Sequence, residues 1–308
     1  MKTCLYIAGR GHSGSTMLDA MLGNADQIES VGELVSGMGR YEALCSCGES
    51  FADCVYWEEV RQRFEGAAGV CWDEAVRSSV GQAHIRRFLG TLFAPPNAAW
   101  AIQLKRHSGH IAAAVGATSG KEVIVDSSKE ITRALFLMRF VPGARVVHLV
   151  RHPEKVLQSN FHRLEKGSGF KFLRMRFTPR RWFAPFLFAS AAAWMIGNIM
   201  AEVVRLFGRD RFLRIRYEDL IASPVEQLDR IEKVAGASLE EVKRRIREKQ
   251  PFDVGHNIGG NHMRMAGSFV LDPKKASRQG LPKRYSLMVH ALCWPLLWKY
   301  GYYRKARH

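Results

Sequence analysis

The sequence predicts an α/β fold in three layers, with a central parallel sheet flanked by helices. Three observations predict this fold. Short apolar runs at 5–8, 123–125 and 145–150 have the length and composition of buried parallel strands. Segments with helical start signals or helical apolar spacing follow these runs. The first run also leads into a glycine-rich loop, which makes the predicted arrangement P-loop-like.

Composition limits the class of protein without deciding the partner. The chain has 308 residues, 47% of them hydrophobic, which is enough for a sizeable core, and we expect a single domain over 1–308. Lys and Arg number 46 against 29 Asp and Glu, a net charge of +17. A field of this sign attracts anions such as nucleotides, acidic glycans, lipid headgroups or nucleic acid.

Cysteine usage and the start of the chain predict a cytoplasmic protein. Six cysteines in a chain of this length do not form the framework of a small disulfide-rich domain. The first strand begins within a few residues of Met1, which leaves no room for a signal peptide in this sequence.

The glycine-rich loop after the first run is a predicted anion site. Gly9, Gly11 and Gly14 allow tight turns and a close approach of the backbone to a ligand. The free N–H groups and the positive end of the following helix favour an anion. A phosphate or sulfate is therefore expected there.

The loop nearly matches that of nucleoside triphosphatases. Gly9, Gly14 and Thr16 fit G-x-x-x-x-G-K-[ST], but Ser15 stands where the lysine should be. Without this ammonium the loop lacks the charge that bridges the terminal phosphates. A P-loop kinase or nucleotidase stays open as the less favoured alternative.

The loop resembles instead the 5′-phosphosulfate loop of the sulfotransferases that use 3′-phosphoadenosine 5′-phosphosulfate (PAPS), of a bacterial type similar to the tyrosylprotein and Golgi-type enzymes. The family form is a basic residue followed by S-G-[ST]-T, and His12 takes the basic position here. His12, Arg10 or both would supply charge at the bridging oxygen. The resemblance implies that the donor is bound by Arg10, Gly11, His12, Ser13, Gly14, Ser15 and Thr16.

Two further residues are catalytic candidates. Glu33 follows a predicted short strand at 28–31, so its carboxylate can face the loop, although an ordinary surface position is the alternative. It resembles the family's general base. Lys129 ends a D-S-S-K segment similar to one in such enzymes, which implies a position over the transferred sulfuryl group. Asp126 in that segment is either a magnesium ligand or a helix cap.

The 3′-phosphate site is predicted after the strand at 145–150. Arg151, Ser159 and Arg163 follow it, and a serine with guanidinium groups suits a phosphate. The spacing resembles the family's strand, Arg, seven residues, Ser element. A late glycine-rich loop at 255–264 is similar to a family loop that would place Arg264 on the same phosphate.

A mostly helical insertion at about 58–115, interrupted by Pro95 and Pro96, is expected to build acceptor specificity. Three cysteines lie just before it: Cys45, Cys47 and Cys54. Zinc normally takes four ligands, so His84 or Cys71 would have to complete a site. We expect packed thiols there and no metal.

Three other segments carry predictions about surfaces. A basic loop at about 163–181 is either a lid over anions or a solvated linker. The uncharged stretch 182–200 is expected to form a buried helix rather than a membrane span. Near the end, Trp294 and Trp298 are expected to pack in the core, with contact to an anionic membrane surface as the alternative.

Together these residues predict transfer of a sulfuryl group from PAPS to a hydroxyl or, less favoured, an amine. Glu33 would act as base, with His12 or His107 as the next candidates, and the product would be 3′-phosphoadenosine 5′-phosphate (PAP). No metal is required because fixed cations neutralise the leaving group. The expected acceptors are small molecules, glycans, lipids or peptides, with no specific nucleic acid. A basic anion-binding protein without catalysis is the remaining alternative.

Overall fold

A five-stranded parallel sheet forms the centre of the computed structural model, which describes residues 3–165, 182–272 and 280–303, with side chains to residue 162 in the first range. The strands lie in the order β2-β3-β1-β4-β5. Their bounds are β1 Thr3–Gly9, β2 Ile28–Ser30, β3 Val123–Lys129, β4 Ala144–Val150 and β5 Phe212–Arg216. Helices cover both faces, so the α/β fold with a central parallel sheet is confirmed.

Alternating residues of the strands pack on opposite faces of the sheet. Leu5 and Ile7 of β1 belong to a core completed by four helices: α1 Ser15–Leu22, α10 Tyr217–Ala222, α11 Pro224–Ala235 and α12 Glu240–Arg247. Tyr6 and Ala8 belong to the opposite core, completed by α5 Phe88–Phe93, α6 Ala99–Ser119, α7 Ile131–Phe140 and α9 Phe183–Arg205. This period of two, with apolar residues on both sides, is what a sheet buried on both faces requires.

Helices fill most of the stretch between β2 and β3. They are α2 Leu34–Gly37, α3 Val55–Ala68, α4 Trp72–Ala83, then α5 and α6, with the prolines in the gap between the last two. Trp57, Phe64 and Trp72 are buried in the core of this layer, which also includes Ile124 of β3. The first helices of the insertion thus pack against β3, the strand next to β2, while α5 and α6 also belong to the core around Tyr6 and Ala8.

The helices after β4 form a fourth cluster. α8 Pro153–Glu165 and α13 Lys283–Lys299 pack with α9 around Leu187 and Trp194. α9 is long and apolar enough to cross a membrane by length and composition. Its buried residues lie along one side, while three large apolar residues of the helix are half exposed: Phe188, Ile196 and Ile199. The expectation of a buried helix holds for one face only.

Two predictions about the later segments change. Trp294 and Trp298 of α13 are 59% and 67% exposed, so core packing of these tryptophans was wrong, and Leu296 and Leu297 are buried instead. The helix presents Leu296 and Leu297 to the cluster around α9, and these two tryptophans to the outside. The predicted basic loop at 163–181 lies outside the part of the chain whose side chains are described.

A small antiparallel pair brackets the late glycine-rich loop. β6 Phe252–Asp253 pairs with β7 Ser268–Phe269. Between them the chain runs back to the central sheet, where Ile258 forms bridges with Gly32 and with Cys45. The late loop is therefore attached to the segment that follows β2.

Candidate active site

The candidate site lies at the edge of the sheet where the five parallel strands end. The strands end at Gly9, Ser30, Lys129, Val150 and Arg216. In an open α/β sheet the ligand site lies at this carboxyl edge, because loops from several strands converge there. Three predicted features follow strand ends: the phosphate loop after β1, Glu33 after β2 and Arg151 after β4. Lys129 is itself the last residue of β3.

The loop between β1 and α1 turns through two residues with positive φ, Gly14 and His12. Gly14 has φ of +92°, and a side chain there would meet the ring of Tyr217 at 2.5 Å, so only glycine fits. His12 also has a positive φ of 68°. Positive-φ positions without glycine are costly and cluster at functional sites.

The polar side chains of this loop do not all face the cleft. Ser13, Ser15 and Thr16 are buried, and the hydroxyl of Ser13 has no hydrogen-bond partner among the described residues. Arg10 is exposed and lies against Gly197 of α9, where a Cβ would be 3.2 Å from the Arg10 Cδ. Arg10 is thus at the rim of the site.

Glu33 meets three other functional groups. Its Oε1 accepts a hydrogen bond from the Lys129 ammonium, and its Oε2 accepts one from Ser36 at 3.1 Å. A side chain on Gly260 would lie 3.3 Å from Glu33 Oε1 and 3.1 Å from Thr16 Oγ1. The carboxylate therefore lies near Thr16 of the glycine-rich loop, which agrees with the position predicted for Glu33 after a strand.

Lys129 is sheltered and conformationally strained. Its side chain is 17% exposed and that of Glu33 is 16% exposed. Burial lowers the pKa of Lys129 to about 8, against the opposing effects of Asp19 and Glu130. Its φ is +72°, a value that few residues other than glycine adopt. Lys129 ends β3 and does not open a helix, because α7 begins only at Ile131.

Asp126 is not placed to bind magnesium. It is 3% exposed, and its Oδ1 accepts hydrogen bonds from the backbone N–H of Ser128, at 2.9 Å, and from the Ser128 hydroxyl. Burial raises the pKa of Asp126. The carboxyl group thus closes a turn at the end of β3, which corrects the alternative of a metal ligand.

Arg151 contacts the phosphate loop from the end of β4. Its Nη1 donates to the carbonyl of His12 at 2.9 Å, and its guanidinium lies 4.4 Å from the centre of the Tyr217 ring. The Arg151 Nε is buried and has no hydrogen-bond partner in the described part of the chain. A guanidinium whose Nε has no partner among the described residues suits an anionic ligand.

The other predicted 3′-phosphate residues are less well defined. Ser159 lies on α8, where its hydroxyl donates to the carbonyl of Lys155 at 3.3 Å. Arg163 belongs to the same helix, but its side chain lies outside the described residues. Arg264 lies in the late loop, with Nη1 3.4 Å from the Asn257 carbonyl and a buried Nε that has no partner among the described residues.

Buried polar contacts hold the late loop in place. Asp19 of α1 accepts hydrogen bonds from Ser30 at 2.8 Å and from Asn257 at 2.9 Å. Burial raises the pKa of Asp19 to about 8. The backbone N–H of Glu33 donates to Ile258 at 2.7 Å, and Asn261 N–H donates to Thr16 at 3.3 Å. The late loop is thus hydrogen-bonded to both Glu33 and Thr16 of the glycine-rich loop.

His107 does not belong to this site. It is buried in the insertion, with its Nδ1 3.1 Å from the Ser78 hydroxyl and its ring against Phe64. Burial lowers its pKa. Its contacts explain it as a core histidine.

Three cysteines meet a histidine that was not predicted. The donor atoms of Cys45, Cys47, Cys54 and His256 all lie within 4.8 Å of one another. The two residues expected to complete such a group are elsewhere: Cys71 precedes α4, and His84 caps the short helix 85–87. The fourth member therefore comes from the late loop.

Sequence reasoning also missed Tyr217 and Asn257. Tyr217 belongs to an R-Y-E-D-L segment, and its ring contacts both Gly14 and the Arg151 guanidinium. Glu218 of the same segment accepts from the N–H of His152 at 2.9 Å at the start of α8. The available signal was the position of this segment directly after a strand, at the same edge of the sheet.

Comparison with known proteins places the chain among sulfotransferases. The sulfotransferase family profile matches residues 5–241. The fold is similar to the sulfotransferase domain from the curacin biosynthetic pathway, with 15% identity, 96% of this chain and 97% of that chain covered, and a TM-score of 0.50. It is also similar to the sulfotransferase STF9 from Mycobacterium avium, with 12% identity, 97% of this chain and 76% of that chain covered, and a TM-score of 0.50. None of the curated proteins compared matches the chain.

Proposed function

Because the chain belongs to the sulfotransferase family, we propose that it transfers a sulfuryl group from PAPS to a hydroxyl acceptor. The observation that carries the proposal is the position of Glu33. A Cβ atom placed on Gly260 would lie 3.3 Å from Glu33 Oε1 and 3.1 Å from Thr16 Oγ1, so the carboxylate and this hydroxyl face the same small space. A base beside an anion-binding loop is the arrangement that deprotonation of an acceptor next to a bound phosphosulfate needs.

The residues of the chain fit an anionic donor with two phosphate positions. The loop 10–16 offers a helix start and a glycine cradle for one of them. Arg151 and Arg264 each hold a buried Nε without a partner in the described part of the chain, which suits them to the 3′-phosphate. The proposal extends to Ser159 and Arg163 on α8.

In the proposed reaction Glu33 takes the proton of the acceptor hydroxyl, whose oxygen forms the new bond to sulfur. The bond from sulfur to the bridging oxygen breaks, and PAP keeps the electron pair on its 5′-phosphate. Lys129 holds the Glu33 carboxylate in position and, with His12 and Arg10, places positive charge near the transferred group. No metal is assigned to the chemistry.

A nucleotide kinase finds less support in this site. Ser15 stands in the place of the P-loop lysine, and Asp126 has its Oδ1 occupied by Ser128. The acceptor, whether small molecule, glycan, lipid or peptide, is left to experiment. We also propose a cytoplasmic location, with the exposed Trp294 and Trp298 as the surface for peripheral contact with anionic membrane.

Donor binding is tested by thermal unfolding with PAP, PAPS, AMP and ATP, each with and without magnesium. A ligand at a hundred times its Kd adds about 2.7 kcal/mol to the free energy of unfolding and raises Tm. We expect PAP and PAPS to stabilise the protein without metal and AMP to do so much less. Stabilisation by magnesium and ATP alone would contradict the proposal.

The base is tested with Glu33→Gln in an assay that follows labelled sulfate from PAPS into a panel of hydroxyl compounds. We expect turnover to fall by about 10²-fold or more, while PAP affinity is kept, because proton transfer is lost and the loop is intact. Glu130→Gln is the matched control, since Glu130 is a second carboxylate that acts on Lys129 electrostatically. Equal effects of the two substitutions would show that charge near Lys129, and not a base at Glu33, controls turnover.

A further inference from the structure

Four potential metal ligands converge between the start of the insertion and the late loop. They come from two distant parts of the chain: Cys45, Cys47 and Cys54 from the first part, and His256 from the second. We propose that these four side chains bind one zinc ion in a closed, tetrahedral structural site. The site is separate from the proposed sulfuryl transfer and does not depend on it.

The distances between the ligand atoms suit one tetrahedral zinc. Bonds of about 2.3 Å to sulfur and about 2.0–2.1 Å to nitrogen place neighbouring ligand atoms about 3.5–3.8 Å apart. The sulfurs of Cys47 and Cys54 are 3.6 Å apart. The His256 Nδ1 is 3.4 Å from the Cys54 sulfur and 3.8 Å from the Cys45 sulfur.

The backbone presents the cysteines as metal-binding loops do. Cys45 N–H donates to Glu49 at 2.8 Å, and Gly48 N–H donates to Cys45 at 3.0 Å, which folds the segment into a tight turn. Gly48 completes this turn with φ of +100°. Cys54 directly precedes α3, so the start of this helix fixes the position of its side chain.

The histidine is held with its Nδ1 towards the sulfurs. The His256 ring stacks on Tyr56 with ring centres 4.8 Å apart and planes 5° from parallel. Its backbone carbonyl accepts a hydrogen bond from the Trp57 indole at 2.8 Å. A ligand ring with a fixed orientation is characteristic of metal sites, because it preserves the coordination geometry.

Simpler explanations cover only part of the cluster. Packing of small apolar thiols explains Cys45 and Cys54, which are buried, but not Cys47, which is exposed. A disulfide between Cys47 and Cys54 would use two sulfurs and leave Cys45 and His256 unexplained. A metal ion accounts for all four at once.

Such an ion would join parts of the chain that are 202 residues apart, the separation of Cys54 and His256. The late loop is already attached there, since Ile258 bridges both Cys45 and Gly32. A zinc ion would strengthen this attachment and hold Gly260 against Glu33. Its role would be to position the loop, with no ligand position open to substrate.

The test measures metal content in the full-length protein, purified under reducing conditions from cells grown with added zinc. We expect about one zinc per chain in the wild type and its loss in Cys47→Ser and His256→Ala. Cys71→Ser and His290→Ala are the controls and should keep the metal. Cys71 is an exposed cysteine outside the cluster, and His290 belongs to the other group of potential ligands in the described residues, with His152 and Glu154.

A second measurement covers variants that fail to fold. Wild-type protein stripped of zinc and loaded with cobalt should show the strong visible absorption of a tetrahedral site and a thiolate-to-cobalt charge-transfer band. Zinc added afterwards should abolish both. The proposal is overturned if zinc-grown wild type is metal-free and takes up no cobalt, if Cys47→Ser keeps its zinc, or if Cys47 and Cys54 form a disulfide.

Discussion

Replacement of Arg151 by alanine should weaken the binding of PAP much more than that of AMP. The Arg151 Nη1 is engaged with the carbonyl of His12, whereas its Nε is buried without a partner among the described residues. A hydrogen bond from a charged group contributes about 1.5–3 kcal/mol. Loss of one such bond to the 3′-phosphate should cost about 2–3 kcal/mol, or a 30- to 150-fold rise in Kd.

The assay is isothermal titration of PAP and AMP into the wild type and three variants. AMP lacks the 3′-phosphate, so its affinity should change little in Arg151→Ala, and the preference for PAP should collapse. Arg151→Lys keeps the charge but lacks the planar guanidinium, so its affinity for PAP should lie between those of the wild type and Arg151→Ala. Arg145→Ala is the matched control, since Arg145 lies near the opposite end of the same strand.

The two ligands distinguish two roles of Arg151, binding of the 3′-phosphate and support of the glycine-rich loop. Arg151 also holds the phosphate loop through His12, and its guanidinium stacks on Tyr217 at 4.4 Å. If this support were its main role, PAP and AMP would lose affinity by the same factor. Such an equal loss would refute the assignment of Arg151 to the 3′-phosphate.

Three further predictions follow from the same edge of the sheet. Turnover should fall above about pH 8, where the buried Lys129 loses its charge, and in Lys129→Arg the fall should occur at higher pH. If the pH profile of Lys129→Arg equals that of the wild type, Lys129 is not the cause of the fall. Gly260→Ala should reduce kcat at least tenfold, because a methyl group would lie 3.1 Å from Thr16 Oγ1 and 3.3 Å from Glu33 Oε1. A wild-type kcat in steady-state kinetics would contradict this expectation. Burial raises the pKa of Asp19 to about 8, above the unfolded value of about 3.9, so the folded state binds more protons between these values and the free energy of unfolding should fall as pH rises from about 4 to 8. Urea unfolding of Asp19→Asn should show a free energy of unfolding that depends less on pH, and an equal pH dependence in both proteins would assign the effect to other groups.

Local patterns predicted the strands and the position of the glycine-rich loop between β1 and α1 well. Apolar runs and glycine spacing carry their information within a few residues, so the runs at 123–125 and 145–150 predict strands that are found at Val123–Lys129 and Ala144–Val150. Glu33 could be singled out because it follows a strand that ends beside the loop. Parallel strands bring such ends together whatever their distance along the chain.

Features that depend on distant contacts could not be predicted in the same way. Nothing near Cys54 indicates that His256 would lie 3.4 Å from its sulfur. The position of the Tyr217 ring depends on its contacts with Gly14 and Arg151, which are far from it along the chain. The exposure of Trp294 and Trp298 depends on which side of α13 meets α9, and the apolar content of that helix does not specify it.

The return of the chain to Glu33 through Ile258 and Gly260 bears on how the protein is made. During synthesis β1, β2 and β3 can pair long before residue 260 leaves the ribosome, because the sheet needs only the first half of the chain for its centre. The carboxylate that we propose as base would then lie uncovered, without the glycine and asparagine that later lie over it. Closure requires a contact between residues more than 200 positions apart, the slowest kind to form in a folding chain. Catalytic competence should therefore arise as a late step of folding, after the strands of the first half have paired.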